Sequence, residues 1–344
     1  MCLRPKLKTP PFWYRHAGTK APLLETILTP LGWAYSIGHK INTARRKTEK
    51  AAMPVICIGN LVAGGSGKTP VALSLMQMIV GARLAQKPHF LTRGYGGTEK
   101  GPLLVDYFKH GAEEVGDESL LLSRAGFTIV SADRPAGAQF AAEKGADMIV
   151  MDDGLQNPSL HKDISIVVID GASGFGNGKL LPAGPLRETL EDGLSRADAF
   201  VIVGKDKTGA CALLPKGKPV FSAHVEVPED RRPKTTKPYI AFAGLGRPEK
   251  FYHLLQKLHY DIKSWHPFPD HYNYKPEDIY KLIGEAKEKN ALLITTEKDF
   301  IRLPEENWDM EIVQLPIRLA WEDEKAVTDF VSGRLKEIRN PLAA

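Results

Sequence analysis

The chain has 344 residues, 43% hydrophobic and 25% charged, with a formal net charge of +5. That length suggests two domains, and that balance excludes a disordered chain. Three cysteines far apart, Cys2, Cys57 and Cys211, exclude a disulfide framework and a paired-cysteine zinc site.

The charge is unevenly spread. Residues 1–50 carry ten Lys/Arg against two acids and sum to +8, while residues 51–344 sum to −3. A basic end on a mildly acidic body points to a local anionic partner rather than to nucleic acid along the whole protein. No run of 18 uninterrupted apolar residues occurs, so a confident spanning helix is not expected. Over 22–38 the residues Leu24, Ile27, Leu28, Leu31, Ala34 and Tyr35 recur at spacings of three and four, a helical face that Pro30 would bend. Aromatics and Lys/Arg beside that stripe suit a bilayer interface, and the same pattern also suits a helix packed on the domain.

A strand is expected at 54–59. It is followed by Asn60-Leu61-Val62-Ala63-Gly64-Gly65-Ser66-Gly67-Lys68-Thr69 and a helical pattern from 70 to about 84. Strand, glycine-rich loop, Gly-Lys-Thr and helix form the context of a phosphate-binding P-loop. The loop Ala63–Gly67 can turn its backbone N–H groups inward around phosphate oxygens, and the helix N-terminus adds positive dipole. Lys68 would then reach the β- and γ-phosphates and Thr69 would ligate Mg²⁺. Val62 stands where the usual pattern has its first glycine.

Strands are expected at 89–92, 128–131 and 147–151, the last running into Asp152-Asp153-Gly154. A hydrophobic strand ending in acid beside a P-loop can hold Mg²⁺, although the same three residues also make a turn. A strand at 164–170 leads into a Gly/Pro-rich loop, 171–185, and then Arg187-Glu188. Such a long loop in a compact domain is more often functional than idle. Arg187 could meet a phosphate, and Glu188 could serve the metal or stabilise its helix start. Arg93-Gly94-Tyr95-Gly96-Gly97 follows a strand and so lies on the ligand-binding edge of the sheet. Asp117, in Gly116-Asp117-Glu118, is read either as a helix cap or, with the distant His271, as the base a phosphotransferase needs at its acceptor hydroxyl. The remainder reads as a smaller α/β unit. Its strands are expected at 218–227, 239–243, 291–295 and 311–315, its helices at 248–258, 276–289 and 321–338, and a polar linker at 230–238.

Taken together, the runs at 59–71, 93–97, 116–118, 132–138, 152–157, 181–188, 242–248, 268–272 and 295–299 resemble the tetraacyldisaccharide 4′-kinase family of the lipid A pathway in Gram-negative bacteria. The resemblance spans nearly the whole chain in order, and Val62 is that family's habit. It implies an α/β protein, a P-loop NTPase-like α/β/α sandwich with a second smaller α/β domain joined by a β-strand linker, plus an N-terminal amphipathic helix. The expected division is a membrane-associating segment at 1–50, a kinase core at 51–217 and the smaller domain at 218–344. The implied activity transfers the ATP γ-phosphate to the 4′-hydroxyl of a tetraacylated glucosamine disaccharide 1-phosphate. ATP and Mg²⁺ are the expected cofactors, and the cytoplasmic face of the inner membrane the expected location, peripheral or monotopic. Neither nucleic acid nor a protein partner is expected, and the chain is expected to be a monomer.

By the same resemblance Asp117 acts on the sugar hydroxyl with His271 as its partner, and Asp152 and Asp153 lie near Mg²⁺ with Gln156 and Glu188 close by. Arg93, Tyr95, Arg134 and Arg187 match positions near the phosphates or the lipid sugar. Many members carry His where this chain has Asn157, so at that position a hydrogen-bonding, positioning role is expected rather than proton transfer. Two other readings are a P-loop kinase for a soluble sugar or nucleoside, and a membrane-associated switch ATPase.

Overall fold

The computed structural model describes residues 10–14, 23–44 and 46–340. Of the basic residues in the N-terminal segment, Arg4, Lys6, Lys8, Arg15, Lys20 and Arg45 lie outside them. The described chain forms two compact units: residues 10–225 with the chain from 319 onward, and residues 226–318.

A 3₁₀ turn, Pro11–Tyr14, precedes helix α1, Leu23–Ala44. There follow β1 Val55–Gly59, α2 Lys68–Gly81, β2 Pro88–Thr92, β3 Leu103–Leu104, α3 Ala112–Val115, α4 Asp117–Ser123 and β4 Thr128–Val130. Next come α5 Arg134–Glu143, β5 Met148–Asp152, β6 Ile164–Asp170, α6 Leu190–Ser195, β7 Ala199–Val203 and β8 Val220–Glu226. The second unit holds β9 Tyr239–Ala243, α7 Glu249–Lys257, β10 Ile262–Pro267, α8 Pro276–Glu288, β11 Leu292–Thr296, α9 Glu297–Phe300 and β12 Ile312–Leu315. The chain ends in β13 Arg318–Trp321 and α10 Glu324–Arg339.

In the first unit the strand order is β13-β8-β7-β6-β1-β5-β2-β4-β3. β1 lies between β5 and β6 and is parallel to both. β1, β2, β5 and β6 are buried along their whole length, the signature of a parallel sheet covered on both faces. Alternate side chains serve opposite faces. Ile56 and Ile58 enter one core with α2 and α10, while Val55 and Cys57 enter the other with Ala138 of α5.

The division at 217/218 read from the sequence differs from this arrangement. β8 extends the large sheet, and α10 buries Val327, Val331 and Leu335 in the core beneath α2. Three such side chains contribute about 1.5–3 kcal/mol each. Trp321 Nε1 also donates to Ser74 Oγ at 2.8 Å. Periodicity marks α10 as amphipathic, but the surface that receives it is a non-local fact. The second unit is a parallel sheet in the order β10-β9-β11-β12, with α8 packed in one core and α7 in the other. β7, α5 and β10 were not expected from the sequence. α5 buries only small residues besides Arg134 (Gly137, Ala138 and Ala141), so it shows no large apolar stripe.

Helix α1 is oriented against the usual rule. Its polar side faces the protein: Glu25 is fully buried, Lys179 Nζ donates to Thr29 Oγ1 at 3.2 Å, and Lys40 pairs with Asp192 at 2.8 Å. A Cβ on Gly32 would come within 3.2 Å of the Leu180 carbonyl oxygen, so the helix approaches closely there. The apolar side, with Leu23, Leu24, Ile27, Leu31, Trp33, Ile37 and Ile41, is exposed.

Candidate active site

β1 delivers the chain to the middle of the sheet's carboxyl edge. A Cβ on Gly59 would lie 2.5 Å from Leu155 Cβ, so only glycine fits. Gly67 has φ +90°, a left-handed turn that starts α2 at Lys68. Val62 needs no such freedom, because it is buried and paired in an antiparallel bridge with Leu186. Ala63 N–H donates to Pro185 O at 2.7 Å, and Arg187 N–H donates to Leu61 O at 2.9 Å. The long loop after β6 is thus zipped to the P-loop backbone, which brings Arg187 and Glu188 to the site.

Lys68 Nζ lies 3.3 Å from Asn60 Oδ1 and 3.5 Å from Asp153 Oδ2. Thr69 Oγ1 donates to Asp152 Oδ2 at 3.1 Å. The other Asp152 oxygen, Oδ1, is buried without a hydrogen-bond partner. Burial, followed by the like charge of Glu118, pushes the Asp152 carboxyl up to about 7. Asp153 behaves oppositely. Burial alone would raise it, but Lys68 and Arg187 outweigh burial and hold it below the usual carboxylate range. Arg187 Nη1 reaches both Asp153 oxygens, at 2.9 and 3.1 Å. Gln156 Nε2 donates to Asn60 O at 2.8 Å and to Glu188 Oε1 at 3.0 Å. Glu188 is buried and its other oxygen pairs with Arg196. Helix α6 is instead capped by Thr189, which accepts from Asp192 N–H. Among the described residues no cluster of three or more His, Cys, Asp or Glu side chains is arranged to hold a metal ion.

On the same sheet edge, the turns after β2 and before α4 are packed backbone to backbone. A Cβ on Gly97 would lie 2.4 Å from Glu114 O, and one on Gly116 would lie 2.4 Å from Tyr95 O. That contact explains the glycines around Arg93 and Asp117. Gly116 occupies the cap position of α4 and Asp117 is its first residue, so the capping reading of Asp117 does not apply. Asp117 is buried, and its Oδ1 accepts from Glu118 N–H at 2.9 Å. Arg134 opens α5, 2% exposed, and donates from Nη1 to Ser131 O, while its Nε is buried without a partner. Burial, then the neighbouring Arg93, lowers it to about 10.

Lys68, Asp153, Gln156, Arg187 and Glu188 are therefore one connected network, and the Thr69–Asp152 pair lies at the adjacent residues of the same two segments. Asn157 is nearby in sequence, but its Oδ1 accepts from Ser159 N–H and Oγ at 2.8 and 2.7 Å. Its carboxamide oxygen thus shapes its own turn. Tyr95 is 65% exposed. His271 belongs to the second unit, in a left-handed turn (φ +51°) with Nε2 3.9 Å from Asp270 Oδ1. Sequence reading assigned no role to Asn60, Glu118, Arg196 or Lys162. Glu118 stood in the Gly-Asp-Glu run, and Asn60 directly followed the predicted strand. Lys162, half-buried with its ammonium reaching the Asn157 carbonyl, gave no local signal. Nor did Tyr14, whose hydroxyl donates to Ala63 O at 3.2 Å.

Residues 24–336 match the family model of tetraacyldisaccharide-1-P 4′-kinase. A tetraacyldisaccharide 4′-kinase of Parvibaculum lavamentivorans is 46% identical over 322 residues, covering 91% of this chain and 93% of that one. One from Paramagnetospirillum magneticum is 45% identical over 324 residues, covering 94% and 97%. The crystal structure of LpxK from Aquifex aeolicus in complex with ATP superposes with a TM-score of 0.73 at 28% identity, covering 91% of this chain and 100% of that one.

Proposed function

The chain belongs to the tetraacyldisaccharide-1-P 4′-kinase family, and from that premise we propose how its residues carry the reaction. The activity is ATP-dependent phosphorylation of a tetraacyldisaccharide 1-phosphate at its 4′-hydroxyl, a step of lipid A biosynthesis. The observation that carries the residue assignments is the pair of contacts joining Lys68 and Thr69 of the P-loop to Asp153 and Asp152 respectively.

The backbone of Ala63–Gly67 cradles the ATP phosphates, and Lys68 balances charge on the β- and γ-phosphates. The acceptor oxygen forms a bond to the γ-phosphorus as the bond to the ADP oxygen breaks. Asp117 takes the hydroxyl proton, and the family resemblance assigns His271 to the same step. Arg93, Arg134 and Arg187 face the anionic groups of the two substrates, and the unpartnered Arg134 Nε supports that role. Tyr95 and Asn157 contribute to the acceptor side, Asn157 through the turn it shapes.

The residues also fit Mg²⁺. Thr69 Oγ1 beside Asp152, with an unpartnered buried carboxylate oxygen, is a donor set suited to a cation that takes one or two protein ligands plus phosphates and water. Thr69 and Asp152 would hold it directly, with Asp153, Gln156 and Glu188 around them. When bound it neutralises charge developing on the transferred phosphoryl group.

The test uses γ-labelled ATP, Mg²⁺ and detergent-dispersed tetraacyldisaccharide 1-phosphate. Label is expected in the lipid, and not in an unacylated glucosamine disaccharide 1-phosphate offered alone. Label found only as inorganic phosphate, or equally in the soluble sugar, would overturn this reading.

We further assign the enzyme to the cytoplasmic face of the inner membrane, held by the exposed apolar side of α1. Among the described residues no helix is long and apolar enough to cross a membrane. An outward apolar face flanked by aromatics matches an interfacial helix. Substituting Ile27→Asn together with Leu31→Asn is expected to weaken co-sedimentation with anionic phospholipid vesicles by about tenfold or more, since each buried apolar side chain is worth at least ~1.5 kcal/mol. Activity on detergent-dispersed substrate should stay within about twofold. Undiminished co-sedimentation would remove α1 from this role.

A further inference from the structure

Within the second unit, the turn carrying His271 is fastened to the end of β9 through one buried ion pair. Arg302 Nη2 donates to Asp299 Oδ1 at 2.8 Å, and the two side chains are 5% and 0% exposed. Asp299 Oδ1 also accepts from Gly244 N–H at 2.8 Å and from Tyr274 OH at 2.7 Å. Its Oδ2 accepts from Thr296 Oγ1 at 2.6 Å. Arg302 Nη2 donates to Gly244 O at 3.1 Å, and Nη1 reaches Tyr272 O at 3.5 Å. The Gly244 carbonyl then accepts from His271 N–H at 3.1 Å.

Both backbone polar groups of Gly244 are thus gripped by the pair, and His271 hangs from the same carbonyl. The fit is tight: a Cβ on Gly244 would lie 2.9 Å from Pro269 O and 3.1 Å from Tyr272 Cβ. His271 itself sits in the left-handed region, which a non-glycine residue keeps only where its surroundings enforce it. A buried ion pair is a poor source of net stability, because desolvation offsets the attraction. What this one supplies is fixed geometry. Arginine is needed because its planar fork spans a carboxylate and two carbonyls at once, which a lysine ammonium cannot do.

We propose that Asp299 and Arg302 are positioning residues for His271, acting through Gly244 and the Tyr272 carbonyl. The inference rests on the reading of His271 as partner to the phosphate-transfer step. The test compares full-length wild type with Arg302→Lys, His271→Ala and the double variant, and it also follows amide hydrogen exchange across 268–272. For Arg302→Lys, kcat is expected to fall about tenfold or more with KM for ATP unchanged, the size of effect that a small misplacement of a catalytic group produces. The His271 amide should exchange about tenfold faster, because its acceptor is no longer held. The double variant should be no slower than His271→Ala.

Arg302→Lys with kcat within twofold of wild type would overturn the proposal. So would a loss in the double variant that multiplies the two single losses, since the pair would then act independently of His271. Wild-type kcat in His271→Ala alone would instead overturn the reading of His271 on which the proposal stands. Should Arg302→Lys fail to fold, Tyr274→Phe removes one hydrogen bond to Asp299. A smaller fall in kcat, again absent in the His271→Ala background, is then expected.

Discussion

Lys68→Ala is expected to lower kcat for phosphate transfer about a thousandfold or more, the scale on which a cation at the transferring phosphoryl group acts. Lys68 is largely buried, held 3.3 Å from Asn60 Oδ1 and 3.5 Å from Asp153. Those contacts fix the ammonium in place, and in a P-loop site that lysine meets the β- and γ-phosphates. Its loss also leaves Asp153 balanced by Arg187 alone, so nucleotide binding should weaken as well. Arginine is not an adequate replacement, because its wider guanidinium does not reproduce a compact point charge. Steady-state transfer of label from γ-labelled ATP checks this, with thermal unfolding to verify the fold. A kcat within tenfold of wild type would remove Lys68 from the phosphate-transfer role.

Asp117→Asn is expected to lower kcat by about 10²–10⁴-fold while leaving KM for ATP nearly unchanged, the range found when a general base is lost. The substitution isolates the charge. An asparagine carbonyl can still accept from Glu118 N–H, the contact Asp117 Oδ1 makes at 2.9 Å, so the start of α4 survives. Gly116 keeps its cap position, and its tight approach to Tyr95 O is untouched. Unchanged kcat across the pH range would place proton removal elsewhere.

Much of the site was legible because P-loop chemistry is local. A buried strand, glycines where the backbone must turn left-handed, Lys-Thr at a helix start and acids after a second buried strand are each set by neighbouring residues. Val62 showed where a local pattern misleads. It departs from the usual glycine without cost, because at that point the chain is extended and bridged to Leu186. Asp117 showed the reverse. Its residue type permitted a cap, and only the backbone path assigned that place to Gly116.

The sequence alone determined the family, the strand–loop–helix of the P-loop pattern, the acidic turn that follows a second buried strand and the α/β character of the chain, all features of contiguous residues with a fixed period. Only the tertiary structure decided that α1 turns its polar side to the protein and that α10 returns to the first unit. It also decided that residues 185–187 are zipped to residues 61–63, that burial and then Glu118 raise the Asp152 carboxyl, and that Asp299 and Arg302 hold the His271 turn. Each of these joins residues far apart along the chain or separated by a turn. Such contacts are chosen by which buried polar groups can satisfy one another, and periodicity carries no record of that choice.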